Sequence, residues 1–242
     1  MNAYGISETG MVRANNEDSF FYTENEIYGL PNLFIVADGM GGHKAGEVAS
    51  EKSIKYFREY CEANAADSGE ILDFLIAAVT YSNNMVFTLS CSDDSYEGMG
   101  TTFSVCVYKG GKLYTAHIGD SRVYVINSGI NQITADHTYV NEMVKLGQIT
   151  EAQAKTHPSR NMLTRVLGSN PSALIDGYIT EIQKNDRVLL CSDGLTNMIE
   201  DGEILSICKK RSKNEEAGKK MLKKAMDNGG FDNCTLILFD AN

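Results

Sequence analysis

The run LFIVAD at 33–38 carries no polar side chain before its closing aspartate. A strand with one face in water alternates apolar and polar residues, whereas a strand without alternation is buried on both faces. The chain must therefore bring a layer of structure to each side of this segment. RVLLCSD at 187–193 closes on the same apolar-Asp-Gly pattern, and CTLILFD at 234–240 is a third apolar run. Further strands are predicted at SFFYT (19–23), TTFSVCVY (101–108), KLYTAHIGD (112–120), SRVYVIN (121–127) and ALIDGYITEI (173–182), with Gly110-Gly111 as a hairpin turn.

Two long segments carry the helical period instead. From 45 to 64, Val48, Ala49, Ile54 and Phe57 recur three or four residues apart. From 68 to 90, Ile71, Leu72, Leu75, Ile76 and Val79 form one stripe, and Ser68 is placed to cap it. Shorter helices are predicted at 201–210 and 214–227. Strands, then two helices, then strands, then helices and a last strand do not make a βαβ alternation. They predict an α+β or layered α/β/β/α domain with mainly antiparallel sheets. With only three prolines, no Ser/Gly-rich linker and 43% hydrophobic residues, a single domain over 1–242 with its own core is expected.

Composition narrows the function classes. The net charge of −10 argues against a nucleic-acid binder, which needs a basic face. The start MNAYGISETG has no basic, then apolar, leader pattern, and no apolar run reaches the ~18 residues of a membrane span. Six scattered cysteines show no CxxC spacing, and several, such as Cys106 and Cys191, sit in apolar runs, as small hydrophobes do in a reducing compartment. A cytoplasmic protein without membrane or nucleic-acid partners is the expectation.

The chemistry is concentrated in carboxylates. Asp38 and Asp193 each follow an apolar strand and precede glycine; Asp120 follows Gly119 at the close of another strand; Asp232 stands just before the last one. Glu17-Asp18 immediately precede SFFYT. One Asp-Gly after a strand is an ordinary turn signal. Four strand-end aspartates in one chain argue for a divalent-cation site, because carboxylates and carbonyls are the donors hard cations prefer. An oxygen-only donor set suits Mg²⁺ or Mn²⁺ rather than zinc. No Cys-x5-Arg, DxDxT or GxxxxGK[ST] string is present, which removes thiolate, aspartyl-phosphate and P-loop chemistries.

The strings VRANNEDSF (12–20), ADGMGGHKAGEVAS (37–50), GMGTTFSV (98–105), IGDSRVY (118–124), ADHTYV (135–140), LTRVLG (163–168), LLCSDGLTN (189–197) and DNCTLILF (232–239) occur in one order across nearly the whole chain. In that order they resemble the type-2C, metal-dependent Ser/Thr protein phosphatases, compact bacterial type. The resemblance implies a four-layer α/β/β/α sandwich, two mainly antiparallel sheets flanked by helix pairs, with a dinuclear metal site at one end. Asp38 would bridge two Mn²⁺ or Mg²⁺ ions, the Gly39 carbonyl would bind one, and Asp193 and Asp232 the other. Water between the metals would be the nucleophile attacking phosphoserine or phosphothreonine. Asp18, with Glu17 beside it, would hold metal-bound waters; Arg13 would grip phosphate oxygens; Asp120 with Asp193 would hold a third, weaker ion. Met40 stands where the family's eukaryotic members have a histidine after Asp-Gly, which is the bacterial pattern and leaves His43 as either the general acid or a residue behind the ligands. Residues 137–170 resemble a flap over the cleft, equally a helical surface insertion. Arg165 within it either aids substrate approach or fixes the flap by an ion pair. His117 is expected to be packed in its strand, with His137 and His157 in loops or at helix starts. The partners implied are phosphorylated proteins, including Ser/Thr kinases and their substrates, met by a monomer. Another metallo-phosphohydrolase acting on small molecules, or a non-catalytic module of the same fold, are the alternatives.

Overall fold

The computed structural model describes residues 1–41, 45–65, 71–209 and 212–242. Along the chain the strands are β1 (Ala3–Glu8), β2 (Asp18–Thr23), β3 (Leu33–Met40), β4 (Gly100–Thr101), β5 (Phe103–Lys109), β6 (Lys112–Ile118), β7 (Arg122–Ile126), β8 (Ile130–Gln132), β9 (Asp176–Glu181), β10 (Arg187–Cys191) and β11 (Cys234–Asp240). The helices are α1 (Ala45–Asn64), α2 (Ile71–Ser90), α3 (Tyr139–Lys145), α4 (Glu151–Lys155), α5 (Asp193–Thr196), α6 (Asp201–Lys209) and α7 (Asn214–Asp227).

Two antiparallel sheets carry the fold. One runs β1-β11-β10-β7-β8, the other β2-β3-β5-β6-β9 with β4 paired to β3. Their facing sides form an inner core in which the Phe34 and Phe239 rings stack with centroids 3.9 Å apart, both fully buried. Burial of one such side chain contributes about 2 kcal/mol. A second core fills the space between α1, α2 and the β3 sheet, around Phe57, Leu75 and Phe103. A third lies between α6, α7 and the β11 sheet, around Leu189, Met221 and Leu238. The order is helix pair, sheet, sheet, helix pair, as expected, and it explains why β3 and β11 show no alternation: each is apolar on both faces.

The β5–β6 hairpin turns at Gly110 and Gly111 with φ of 59° and 77°. A two-residue turn of this hand needs positive φ at both centres, which glycine meets without strain. α2 buries Ile71, Leu75, Ala78, Val79 and Val86 on one face, the stripe read from the sequence. By length and composition this helix is long and apolar enough to cross a membrane, which amends the expectation that no run reaches that length. Its apolar face packs on β6, β9 and α1. Ser68, read as its cap, and His43 lie outside the described residues.

Three local expectations change. β1 has no strong strand pattern, because Gly5 interrupts AYGISE, yet it pairs along its length with β11. A Cβ at Gly5 would lie 2.7 Å from the Phe20 ring and 2.8 Å from Tyr22, so the glycine lets the two sheets approach at this edge. Asp38 lies inside β3 rather than at its end, since Gly39 and Met40 go on to pair with Thr101 and Gly100. Ladder pairing of 101–108 breaks at Thr102, for a reason that belongs to the site.

Candidate metal centre

Five acidic segments meet at one end of the sandwich. β2 and β3 set Asp18 directly opposite Asp38 in the ladder. At the break between β4 and β5, the Thr102 N–H donates to the Asp38 carbonyl (2.8 Å), while the Thr102 hydroxyl accepts from the Asp38 N–H (2.9 Å). A side-chain oxygen thus replaces the usual ladder carbonyl, and the Thr101 hydroxyl donates to the Asp38 carbonyl as well (2.9 Å). Asp120 follows the end of β6, Asp193 opens α5 just past β10, and Asp232 stands two residues before β11.

The approach is close enough to require glycine at its centre. A Cβ at Gly39 would lie 2.1 Å from the Gly46 carbonyl oxygen and 2.6 Å from that of Glu17. Glu17 itself is held by its main chain: its carbonyl accepts from the Gly39 N–H (3.1 Å) and the Ser50 hydroxyl (2.6 Å). Its N–H donates to Asn233 Oδ1 (2.8 Å), and the Asn233 amide donates to the carbonyls of Thr9 and Asn15. Asn233 therefore ties the loop carrying Arg13 to the start of β11. Sequence reasoning quoted this residue in a motif and gave it no role.

Asp18 is buried; its Oδ2 accepts from the Ser192 hydroxyl at 2.8 Å, and its Oδ1 has no protein partner. The carboxyls of Asp38 and Asp193 stand within hydrogen-bonding reach of each other, and the Asn197 amide donates to Asp193 Oδ2 (2.9 Å). Burial, and then the charges of Asp18 and Asp193, hold Asp38 well above the ordinary carboxylate range; burial, and then the charges of Asp193 and Asp136, do the same for Asp120. Burial pushes Asp18 up to about 7, with the Ser192 hydrogen bond partly offsetting it. Asp193 rises to about 6, from burial and then the charge of Asp232. Crowded carboxylates of this kind either share protons or gather cations.

Among the described residues, no three acidic, imidazole or thiol groups close on one point as a finished metal cage does. The donors instead flank a well, with a buried unpaired oxygen on Asp18. That suits Mg²⁺ or Mn²⁺, hard ions that keep several waters and take few protein carboxylates each. The donor set fits such ions.

Arg13 sits at the rim, half exposed, and donates to Asp232 Oδ2 at 2.8 Å. Exposed Met11 and Val12 precede it in sequence, exposed Phe231 precedes its partner Asp232, and the Met11 N–H donates to the Gly230 carbonyl at 2.7 Å. On the other side, α3 and α4 help wall a cavity of about 670 Å³ that Asp120 and Asp193 also line. α3 is capped by the Thr138 hydroxyl and α4 by a Thr150–Gln153 capping box, so each short helix has its free N–H groups partly satisfied. The Arg165 guanidinium forks onto Asp176 at 2.7 and 3.1 Å. Of the two roles left open for it, the ion pair is the one seen. His117 is fully buried in β6, as expected, and burial pushes its ring down to about 3.

A model of the family described as Protein phosphatase 2C matches residues 12–227. The serine/threonine phosphatase Stp of Listeria welshimeri is 34% identical over 245 residues, spanning 100% of this chain and 96% of that protein. The solved serine/threonine phosphatase of S. agalactiae superposes with a TM-score of 0.90 at 32% identity, covering 100% of this chain and 99% of that one. The catalytic domain of the phosphatase PstP, solved in complex with two manganese ions, gives a TM-score of 0.86 at 33% identity over 100% of this chain and 98% of that one.

Proposed function

This chain belongs to the protein phosphatase 2C family and is a serine/threonine protein phosphatase, and from that premise we propose that its acidic well binds two Mn²⁺ or Mg²⁺ ions tightly and a third more weakly. The observation that carries this is the crowding of aspartates from separate segments at one end of the sandwich, Asp18 buried and Asp38, Asp120, Asp193 and Asp232 half-buried, where their charges raise one another's proton affinity. Asp38 and the Gly39 carbonyl are the donors at its centre, with Asp193 and Asp232 on the opposite wall. Asp120, with Asp193, serves the weaker ion. When bound, such ions supply a water acidic enough to attack phosphorus and positive charge against the phosphoryl oxygens.

The protein's own groups do the positioning. Asp18, fixed through Oδ2 by Ser192, offers its free Oδ1 to a water in the well, and Glu17 lines the same approach. Arg13 presents a planar fork at the rim, matched to two phosphate oxygens. Met11, Val12 and Phe231 beside it give apolar surface for residues flanking a phosphoserine or phosphothreonine, which favours a protein over a small phosphate ester. Residues 137–170 act as a flap along the adjoining cavity. The partners are phosphoproteins, Ser/Thr kinases and their substrates among them, met by a monomer in the cytoplasm; its buried thiols suit a reducing compartment.

Phosphate release from phosphoserine and phosphothreonine peptides, beside nucleotides and sugar phosphates, tests this directly. Turnover of the peptides that requires Mn²⁺ is expected, with little on the small esters. Peptide turnover indifferent to metal, or a preference for small esters, would overturn it. Arg13→Lys keeps the charge and loses the fork, so KM for a phosphopeptide should rise roughly tenfold with metal affinity little changed. Unaltered steady-state kinetics in that variant would remove Arg13 from phosphate binding.

A further inference from the structure

Gly119, the residue before Asp120, is clamped by two histidines. Its carbonyl accepts from His117 Nε2 (3.1 Å) and from the His137 main-chain N–H (2.8 Å), and its own N–H donates to His137 Nδ1 (3.0 Å). Since a carbonyl and an N–H each have one sense, both ring tautomers follow. His117 carries its proton on Nε2 and takes the Ser104 hydroxyl at Nδ1 (2.9 Å). His137 accepts at Nδ1, so its Nε2–H donates to Asp176 Oδ2 (3.1 Å). Gly119 has φ of +111°, and a Cβ there would lie 2.5 Å from the Thr102 side chain. The peptide leading into Asp120 is therefore held on both polar groups and against the threonine that also holds Asp38.

The same histidine begins the flap. The Thr164 N–H donates to the His137 carbonyl (2.8 Å), the Tyr139 N–H donates to the Met162 carbonyl (2.8 Å), and Thr138 bridges Leu163. Both ends of the flap thus close on one point, and Arg165, at its far end, grips the carboxylate that orients the His137 ring.

We propose that His137 is the positioning residue for Asp120, oriented by Asp176 and Arg165, and that it locks the flap to that ligand. This rests on the metal-site reading above. Hydrogen bonds from groups outside the ligand set hold the ligands of a metal site in place, and their loss lowers metal affinity or activity. In the sequence His137 stands within the string ADHTYV and reads only as a histidine in a loop or at a helix start.

Two variants separate the contacts. In His137→Asn the amide oxygen lies near the place of Nδ1 and keeps an acceptor for the Gly119 N–H. In His137→Gln the longer amide replaces Nε2 and leaves that N–H unpaired. The readouts are amide exchange at Gly119 in the metal-free protein, calorimetric Mn²⁺ titration, and kcat and KM on a phosphopeptide. For His137→Gln, faster exchange at Gly119, weak-site affinity and kcat each reduced roughly tenfold or more, and unchanged tight sites and KM are expected. His137→Asn should recover most of each loss, and Arg165→Lys, which spares the ring and loosens its orienting carboxylate, should show the same pattern more mildly. Equal losses in the two histidine variants, or a Gly119 amide that exchanges as in the wild type throughout, would overturn the role of His137. A wild-type chain that takes up no Mn²⁺ would overturn the metal reading itself, and is told apart by failing before any variant is compared.

Discussion

Asp38→Asn is expected to lower kcat on a phosphopeptide by roughly a thousandfold, beyond the ~10–100-fold typical of residues behind the ligands, while the protein keeps its fold. Asp38 stands at the centre of the well, opposite Asp18 in the ladder and in reach of Asp193. Its backbone bonds to Thr101 and Thr102 do not involve the carboxylate, so the substitution leaves the ladder whole. Removing one of several crowded negative charges relieves repulsion, so the metal-free variant should melt no lower than the metal-free wild type. Added Mn²⁺ should then raise its melting temperature far less than in the wild type. Circular dichroism and thermal melts with and without Mn²⁺, beside kcat, check all three. A near-normal kcat under saturating Mn²⁺ would show that Asp38 is not a central ligand.

Removing the metal should abolish turnover reversibly, with Mn²⁺ restoring it after chelation, and should expose a pH dependence of stability. Asp18 at about 7 and Asp193 at about 6 hold protons in the fold at pH values where the unfolded chain, at 3.8, has lost them. Groups with raised pKa values stabilise fully below the unfolded value, and that stability is lost as pH rises through the folded ones. The metal-free protein should therefore melt roughly 5–10 °C lower at pH 8 than at pH 5. Asp176 works in the opposite sense: hydrogen bonds from Arg165 and His137 outweigh its burial and hold it below the usual carboxylate range, outside this window. Cations compete with those protons, so saturating Mn²⁺ should raise the melting temperature more at pH 8 than at pH 5. A metal-free melting temperature flat from pH 5 to 8, or an equal Mn²⁺ shift at both, would mean the carboxylates are not crowded as described.

The sequence by itself determined the layers and the donor chemistry of this protein. Unalternating runs such as 33–38 demand burial on two faces, and the stripe from Ile71 to Val79 demands one. Those constraints leave few arrangements besides sheets between helices. Asp-Gly pairs after apolar runs marked Asp38 and Asp193 as places where the chain turns polar on leaving the core, although β3 itself runs on through Gly39 and Met40. Only the tertiary structure decided which distant segments meet. Local periodicity reports whether a residue is buried, and not by whom. Nothing near Ala3–Glu8 reveals that it completes a sheet with β11, because Gly5 is there for the Phe20 and Tyr22 rings of the other sheet. Likewise Arg13 meets Asp232 across 219 positions, and Ser192 meets Asp18 across 174. His137 reads as an ordinary loop histidine until the fold sets its ring between Gly119 and Asp176. Hydrogen bonds of this kind depend on orientation to a few tenths of an ångström, and that precision comes from packed layers rather than from the order of residues along the chain.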